Sequence, residues 1–184
     1  MAAADQVLQE IEKRSKWEFL PIIGPEKGAL LERLIDAKKP CRSVDVGAMV
    51  GYATILIARR LPEGCKVVGL EISEELANRA EEYIRRADVG DKASIIHGDA
   101  RVGLEKISGP VDLVLLDAQK SQYLGCLKKL EPRLSPGAVI VANGTGSFHK
   151  EVGGYLDHVR NSSAYESTSH VFGDDAMEVS IFKG

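Results

Sequence analysis

Acids, glycines and a lysine recur in this sequence at one kind of place, immediately after a short apolar run. Ser43-Val44-Asp45-Val46 leads into Gly47 and Gly51, Lys66 to Leu70 into Glu71-Ile72, and Ala93 to His97 into Gly98-Asp99-Ala100-Arg101. Val111 to Leu116 is followed by Asp117-Ala118-Gln119-Lys120, and Ala138 to Val141 by Ala142-Asn143-Gly144-Thr145-Gly146. Glycine lets backbone approach a bound molecule closely, and a helix that starts behind it offers unpaired N–H groups. A carboxylate accepts hydrogen bonds from a ribose diol, an adenine amino group or an ammonium group. Four of the five runs carry an acid at or near their ends. That many carboxylates would repel a pyrophosphate but suit a sulfonium cation with an amino-acid end, a ribose and an adenine.

The glycine spacing points the same way. A dinucleotide phosphate turn reads G-x-G-x-x-G, whereas here Gly47 and Gly51 stand four apart after an acid. Glu71 suits a ribose diol in any adenosine cofactor, so by itself it leaves a nicotinamide-dependent oxidoreductase open. Asp99 suits the adenine amino group. Any one of these acids could instead cap a helix, which does not account for four together.

The elements that must position these residues follow from hydrophobic periodicity. The five apolar runs read as buried strands, and helical stripes separate them, including Leu76, Ala80, Tyr83, Ile84 and Ala87 over 74–88 and Tyr123, Leu124, Leu127 and Leu130 over 120–133. Alternation of this kind implies a parallel sheet covered by helices on both faces. Upstream, 4–16 reads as an N-terminal helical cover within residues 1–22. Gly24-Pro25 then opens a second helix that ends at Lys38-Lys39-Pro40. Downstream, Tyr165 to Phe172 and Ala176 to Phe182 flank Gly173-Asp174-Asp175 with no helix between them, a hairpin. The expectation is one α/β domain over 1–184, Rossmann-like, with a seven-stranded, mostly parallel sheet ending in an antiparallel hairpin.

Composition narrows the partners. With 24 basic against 27 acidic residues the net charge is −3, so there is no clustered positive field to bind nucleic acid, and a modified tRNA base is a disfavoured substrate. No apolar run is long enough to span a membrane, and Met1 to Lys16 lacks a signal-peptide core, so a cytoplasmic location is the default expectation. Cys41, Cys65 and Cys126 form no C-x-x-C pair and are expected as reduced thiols. The N-terminal helix offers a surface on which two copies could pair as a homodimer.

The strings Asp45-x-Gly47-x-x-x-Gly51-Tyr52, Leu70-Glu71-Ile72 and Leu116-Asp117-x-x-Lys120-x-x-Tyr123 resemble the S-adenosylmethionine-dependent O-methyltransferases of the catechol and caffeoyl-CoA type. The resemblance runs from about Ile23 to the C-terminus. It includes Ile22-Ile23-Gly24-Pro25-Glu26-Lys27-Gly28, which resembles that family's cofactor-covering segment. It implies that Asp45, Gly47, Tyr52 and Ala53 surround the methionine part of S-adenosylmethionine, with Ile23 and Gly24 closing over it. Glu71 would hold the ribose, Ile72 would pack on the adenine, and Asp99, Ala100 and Arg101 would line its edge. The acceptor implied is the hydroxyl of a small molecule such as a catechol, deprotonated by Lys120 with Asp117 beside it.

One position departs from the family. Its magnesium site uses an Asp after the fourth strand and an Asp-Asn pair after the fifth. Here these places hold Asp117 and Ala142-Asn143, so Asp117 and Asn143 are the metal ligands left, and use of Mg2+ is an open question. His149 is an alternative base, and Trp17, Phe19 and Tyr123 are candidate gates for an aromatic acceptor. With a carboxylate lost, a cofactor-binding protein without methyl transfer also stays open.

Overall fold

A computed structural model describes residues 2–147 and 150–184. In chain order the elements are α1 (Ala3–Glu18), α2 (Gly24–Lys38), β1 (Arg42–Val46), α3 (Tyr52–Ala58), β2 (Lys66–Glu71), α4 (Glu74–Arg86), β3 (Ala93–His97) and α5 (Ala100–Gly103). There follow β4 (Val111–Leu116), α6 (Tyr123–Leu130), β5 (Leu134–Asn143), α7 (Gly153–Asn161), β6 (Tyr165–Phe172) and β7 (Asp175–Phe182). All seven strands form one sheet in the order β3-β2-β1-β4-β5-β7-β6. The first five are parallel, and β7 runs antiparallel to both β5 and β6. The seven-stranded, mostly parallel sheet with a terminal hairpin is therefore as the alternation implied.

This order places β1 between β2 and β4, where successive connections leave in opposite directions. The crevice beyond the carboxyl ends of β1 and β4 is the natural ligand position in such a sheet. Strand alternation decides which side chains support it. Val44 and Val46 pack into an apolar layer with Leu116, Tyr123, Leu127 and Tyr155. Asp45 faces the opposite layer, where α3 covers the sheet, and it meets Thr54 there.

α1 docks on the chain itself through Ala4, Val7, Leu8 and Ile11. Polar contacts fasten it further: the Tyr52 hydroxyl donates to Glu12 at 2.6 Å and Arg59 pairs with Asp5 at 2.6 Å. α2 carries Pro25 in its first turn, and its end is closed by left-handed Lys39, whose N–H donates to the Ile35 carbonyl.

Several boundaries differ from expectation. β5 begins at Leu134 and reaches Asn143, so Asn143 belongs to the strand. The stretch 120–133 is a 3-10 turn, α6 and a second 3-10 turn, and α6 stops at Leu130 because Pro132 supplies no N–H to continue it. A one-turn helix, α5, follows Asp99.

The expectation of three reduced thiols is corrected: Cys41 and Cys65 are joined by a disulfide, with Cα atoms 4.3 Å apart. The reason is register. Arg42 pairs with Lys66 at the start of β1 and β2, so the residue before each strand is brought alongside the other. Cys126 is free and buried.

Candidate active site

The turn after β1 is clamped to its neighbours. The N–H groups of Gly47 and Ala48 both donate to the Leu70 carbonyl, at 2.9 and 3.0 Å. Gly47 has a φ of +96°, and a Cβ there would stand 2.6 Å from the Asp117 carbonyl oxygen, so only glycine lets β1 and β4 approach this closely. Glu71 ends β2 almost fully buried. It accepts the Met49 N–H on Oε2 at 2.7 Å and the Ser73 N–H on Oε1 at 2.9 Å. A carboxylate held by two backbone donors keeps further lone pairs for a diol.

Around Glu71 lies a cavity of about 290 Å3 whose walls include Gly47, Met49, Ile72, Asp99, Ala100 and Gln119. Ile72 is 70% exposed on its rim, an apolar side chain with no partner layer of its own. Asp99 caps α5 by accepting the Arg101 N–H at 2.8 Å and pairs with the Arg101 guanidinium at 2.5 Å. That contact holds the Asp99 carboxyl at about 2, firmly ionised.

A second cavity, of about 380 Å3, continues from the first and shares Gly47, Met49, Asp117 and Ala118 with it. Ile22, Ile23 and Lys27 at the start of α2 form one wall; Tyr52 and Ala53 of α3, Lys120, Asn143 and Asp175 form the rest. Here the polar groups make a chain. Lys27 Nζ donates to Asn143 Oδ1 at 2.8 Å and pairs with Asp175 at 2.5 Å. Asn143 Nδ2 donates to Asp117 Oδ1 at 2.8 Å. Lys120 Nζ lies 3.4 Å from the same Asp117 oxygen, donates to the Tyr123 hydroxyl at 2.6 Å and sits over the Tyr123 ring. The Tyr123 hydroxyl in turn donates to the Asn143 carbonyl at 2.9 Å.

Electrostatics follow from this packing. Burial raises the Asp117 carboxyl, and the neighbouring Lys120, Asn143 and Lys27 oppose the rise. Burial, then the Asp117 charge, raises the Tyr123 phenol, so it acts as a neutral donor. Burial also pushes on Asp175, but the Lys27 bond and the backbone N–H groups of Ser147 and Ala176 bring it down to about 2.

The metal reading does not fit this donor set. Ala142, in the place of a second carboxylate, is fully buried in the apolar layer. The only acceptor of the Asn143 amide faces the Lys27 ammonium, and turning the amide over would set its NH2 against that ammonium and its oxygen against Asp117. Among the described residues, no group of three His, Cys, Asp or Glu is placed to hold a metal ion. The cleft suits S-adenosylmethionine better, since Glu71 and the Gly47 turn present a diol acceptor and a cradle that a Cβ would fill.

Of the expected site residues, Ile23, Gly47, Tyr52, Ala53, Glu71, Ile72, Asp99, Ala100, Asp117, Lys120 and Asn143 line these two cavities. Asp45 is completely buried beneath α3, and Arg101 is turned outward against Asp99. Gly24 borders a neighbouring hollow formed with α1. Trp17 and Phe19, at 88% and 99% exposure, stand free of the cleft, while Tyr123 is buried beneath it. His149 lies outside the described residues. Lys27, Asp175, Met49 and Gln119 were not anticipated. Lys27 carried a local signal, as the one cation in the covering segment Ile22 to Gly28.

Comparison with known proteins defines first the fold and then the family. The chain superposes on an O-methyltransferase from Bacillus cereus, solved in complex with SAH, with a TM-score of 0.88. That match has 22% identity and covers 97% of this chain and 91% of that one, a likeness of fold. Catechol O-methyltransferase B of Danio rerio is 31% identical over 180 residues, covering 91% of this chain and 67% of that protein. A transmembrane O-methyltransferase homolog of Mus musculus is 34% identical over 134 residues, covering 68% of this chain and 52% of the relative. This chain thus spans two thirds of one relative and about half of the other. A family model described as O-methyltransferase matches residues 2–172, and the chain belongs to that family. Membership sets aside the nicotinamide reading. Among the described residues no helix is long and apolar enough to cross a membrane.

Proposed function

We propose that this chain transfers a methyl group from S-adenosylmethionine to a hydroxyl of a small acceptor, a catechol-like phenol being the class that its relatives suggest. The observation that carries this reading is that the two cavities share Gly47, Met49, Asp117 and Ala118, which sets a half lined by Glu71, Ile72 and Asp99 beside a half lined by Lys120 and Asp117. When bound, the cofactor supplies an electrophilic methyl on a sulfonium sulfur.

The chain's own residues do the rest. Glu71 holds the ribose, Ile72 covers the adenine and Asp99 with Ala100 reads its edge. Ile23, Tyr52 and Ala53 wall the methionine end, and Asp45 supports that wall from below through Thr54. Lys120 in its amine form takes the acceptor's hydroxyl proton. Tyr123 and Asp117 hold the Lys120 nitrogen on the acceptor side of the cleft. Orientation and a correctly placed base supply most of the acceleration expected of such a site.

Titration calorimetry with S-adenosylhomocysteine tests the reading. The wild type is expected to bind in the micromolar range, and Glu71→Gln to bind at least about tenfold more weakly, because the amide offers fewer acceptors to the diol. No binding by the wild type at millimolar ligand would sink the proposal.

A further inference from the structure

The Lys27 ammonium occupies the acceptor side of the Asn143 amide. It reaches from α2 across the ends of β5 and β7, and it engages the Asn143 oxygen that a metal would have to share. Lysine has three N–H donors. Asn143 and Asp175 take two, and the side chain, 15% exposed, lines the same cavity as Lys120 and Asp117. From this geometry we infer that Lys27 does the work of the missing metal: it holds the acceptor's oxygen as an oxyanion beside the transferable methyl, so the chain operates without a divalent ion and selects acidic, phenolic or enolic hydroxyls. The inference rests on the methyltransferase reading above.

Charge balance supports it. After proton transfer the cavity holds the ammoniums of Lys27 and Lys120 with the cofactor's sulfonium, against Asp117, Asp175 and the acceptor oxyanion, and these cancel. A divalent ion in addition would leave two positive charges uncompensated in a mostly buried site, where such an excess is costly. A single ammonium also polarises a hydroxyl less than a divalent metal does. It can stabilise the anion of a phenol, whose free pKa is about 10, but not that of an alkanol, which is far less acidic. Asp175 belongs to the device. Through the N–H groups of Gly146 and Ser147 it pins the loop after β5 to the hairpin, so Lys27 is held on a fixed support.

The probe is 4-nitrocatechol, whose visible absorption reports whether its phenol is ionised. It is added in EDTA to the S-adenosylhomocysteine complexes of the wild type, Lys27→Met and Lys27→Arg, with cofactor affinity measured alongside. The expected result is a shift to the phenolate spectrum with the wild type, its loss in Lys27→Met, partial retention in Lys27→Arg, and cofactor affinities within about threefold of one another. A shift that is absent in EDTA overturns the inference, whether or not magnesium restores it, and so does an undiminished shift in Lys27→Met. Because Lys27→Met also removes an ion pair and could unfold, Mn2+ titration of the wild type followed by electron paramagnetic resonance gives a second reading. The free-ion signal is expected to stay undiminished, and its quenching at stoichiometric protein overturns the inference. Failure of the wild type to bind S-adenosylhomocysteine overturns the methyltransferase reading and this inference with it. Normal cofactor binding with any of the other adverse results overturns the role of Lys27 alone.

Discussion

The Thr54 hydroxyl, in the first turn of α3, donates to Oδ2 of Asp45 on β1 at 2.6 Å, and no partner among the described residues reaches the other carboxyl oxygen. Burial, aided by the nearby Asp117 and Glu71 charges and opposed by the Thr54 bond, raises the Asp45 carboxyl to about 7. In the unfolded chain it titrates near 3.8. Between those values the folded chain holds a proton that the unfolded chain has lost, so stability falls as pH rises through this window. Asp45→Asn has no such proton to lose. Its stability relative to the wild type is expected to improve by about 2–3 kcal/mol between about pH 5 and pH 8, read from urea unfolding at both values. A difference that does not change with pH would show that Asp45 is ionised throughout.

Lys120 contacts Asp117 and Tyr123 and lines the acceptor-side cavity, whereas the walls of the cavity around Glu71 do not include it. Lys120→Met should therefore leave S-adenosylhomocysteine affinity within about threefold while lowering kcat by a factor on the order of 10² to 10⁴, the usual contribution of a positioned base. Equal losses in cofactor affinity and turnover would assign Lys120 to binding instead.

The Cys41–Cys65 bridge lies at the starts of β1 and β2, the end of the sheet away from the cleft. Closing a loop of 24 residues' separation restricts the unfolded chain, and its loss should cost about 3 kcal/mol. Cys41→Ser with Cys65→Ser is expected to unfold at lower urea than the oxidised wild type yet turn over at the same rate at room temperature. Thiol counting under denaturing, non-reducing conditions should find Cys126 alone.

How much of this was legible depends on sequence distance. A parallel strand buried on both faces is a continuous apolar run, so each strand end, and the acid or lysine just beyond it, could be located from the sequence. That is why the positions of Glu71, Asp99, Asp117 and Lys120 beside the two cavities were legible. The pairing of Lys27 with Asp175 spans 148 residues and arises because β7 inserts beside β5, which no local spacing encodes. The disulfide was hidden likewise, since only strand register brings its halves together. Asp45 shows a third limit: its position was clear, but whether its carboxyl faced the cleft or the underside of α3 depended on which way the strand's alternation fell.

The most direct test of the central claim is transfer itself. S-adenosylmethionine carrying a trideuterated methyl is incubated with the chain and a panel of catechols and phenols, in parallel with EDTA and with added magnesium, and the products are examined by mass spectrometry. A labelled methyl is expected on a phenolic oxygen in both conditions, with S-adenosylhomocysteine formed in equal amount and both products formed at least about a hundredfold more slowly by Lys120→Met. Tight cofactor binding with no labelled product from any hydroxyl would contradict it and leave a binding protein on an O-methyltransferase fold.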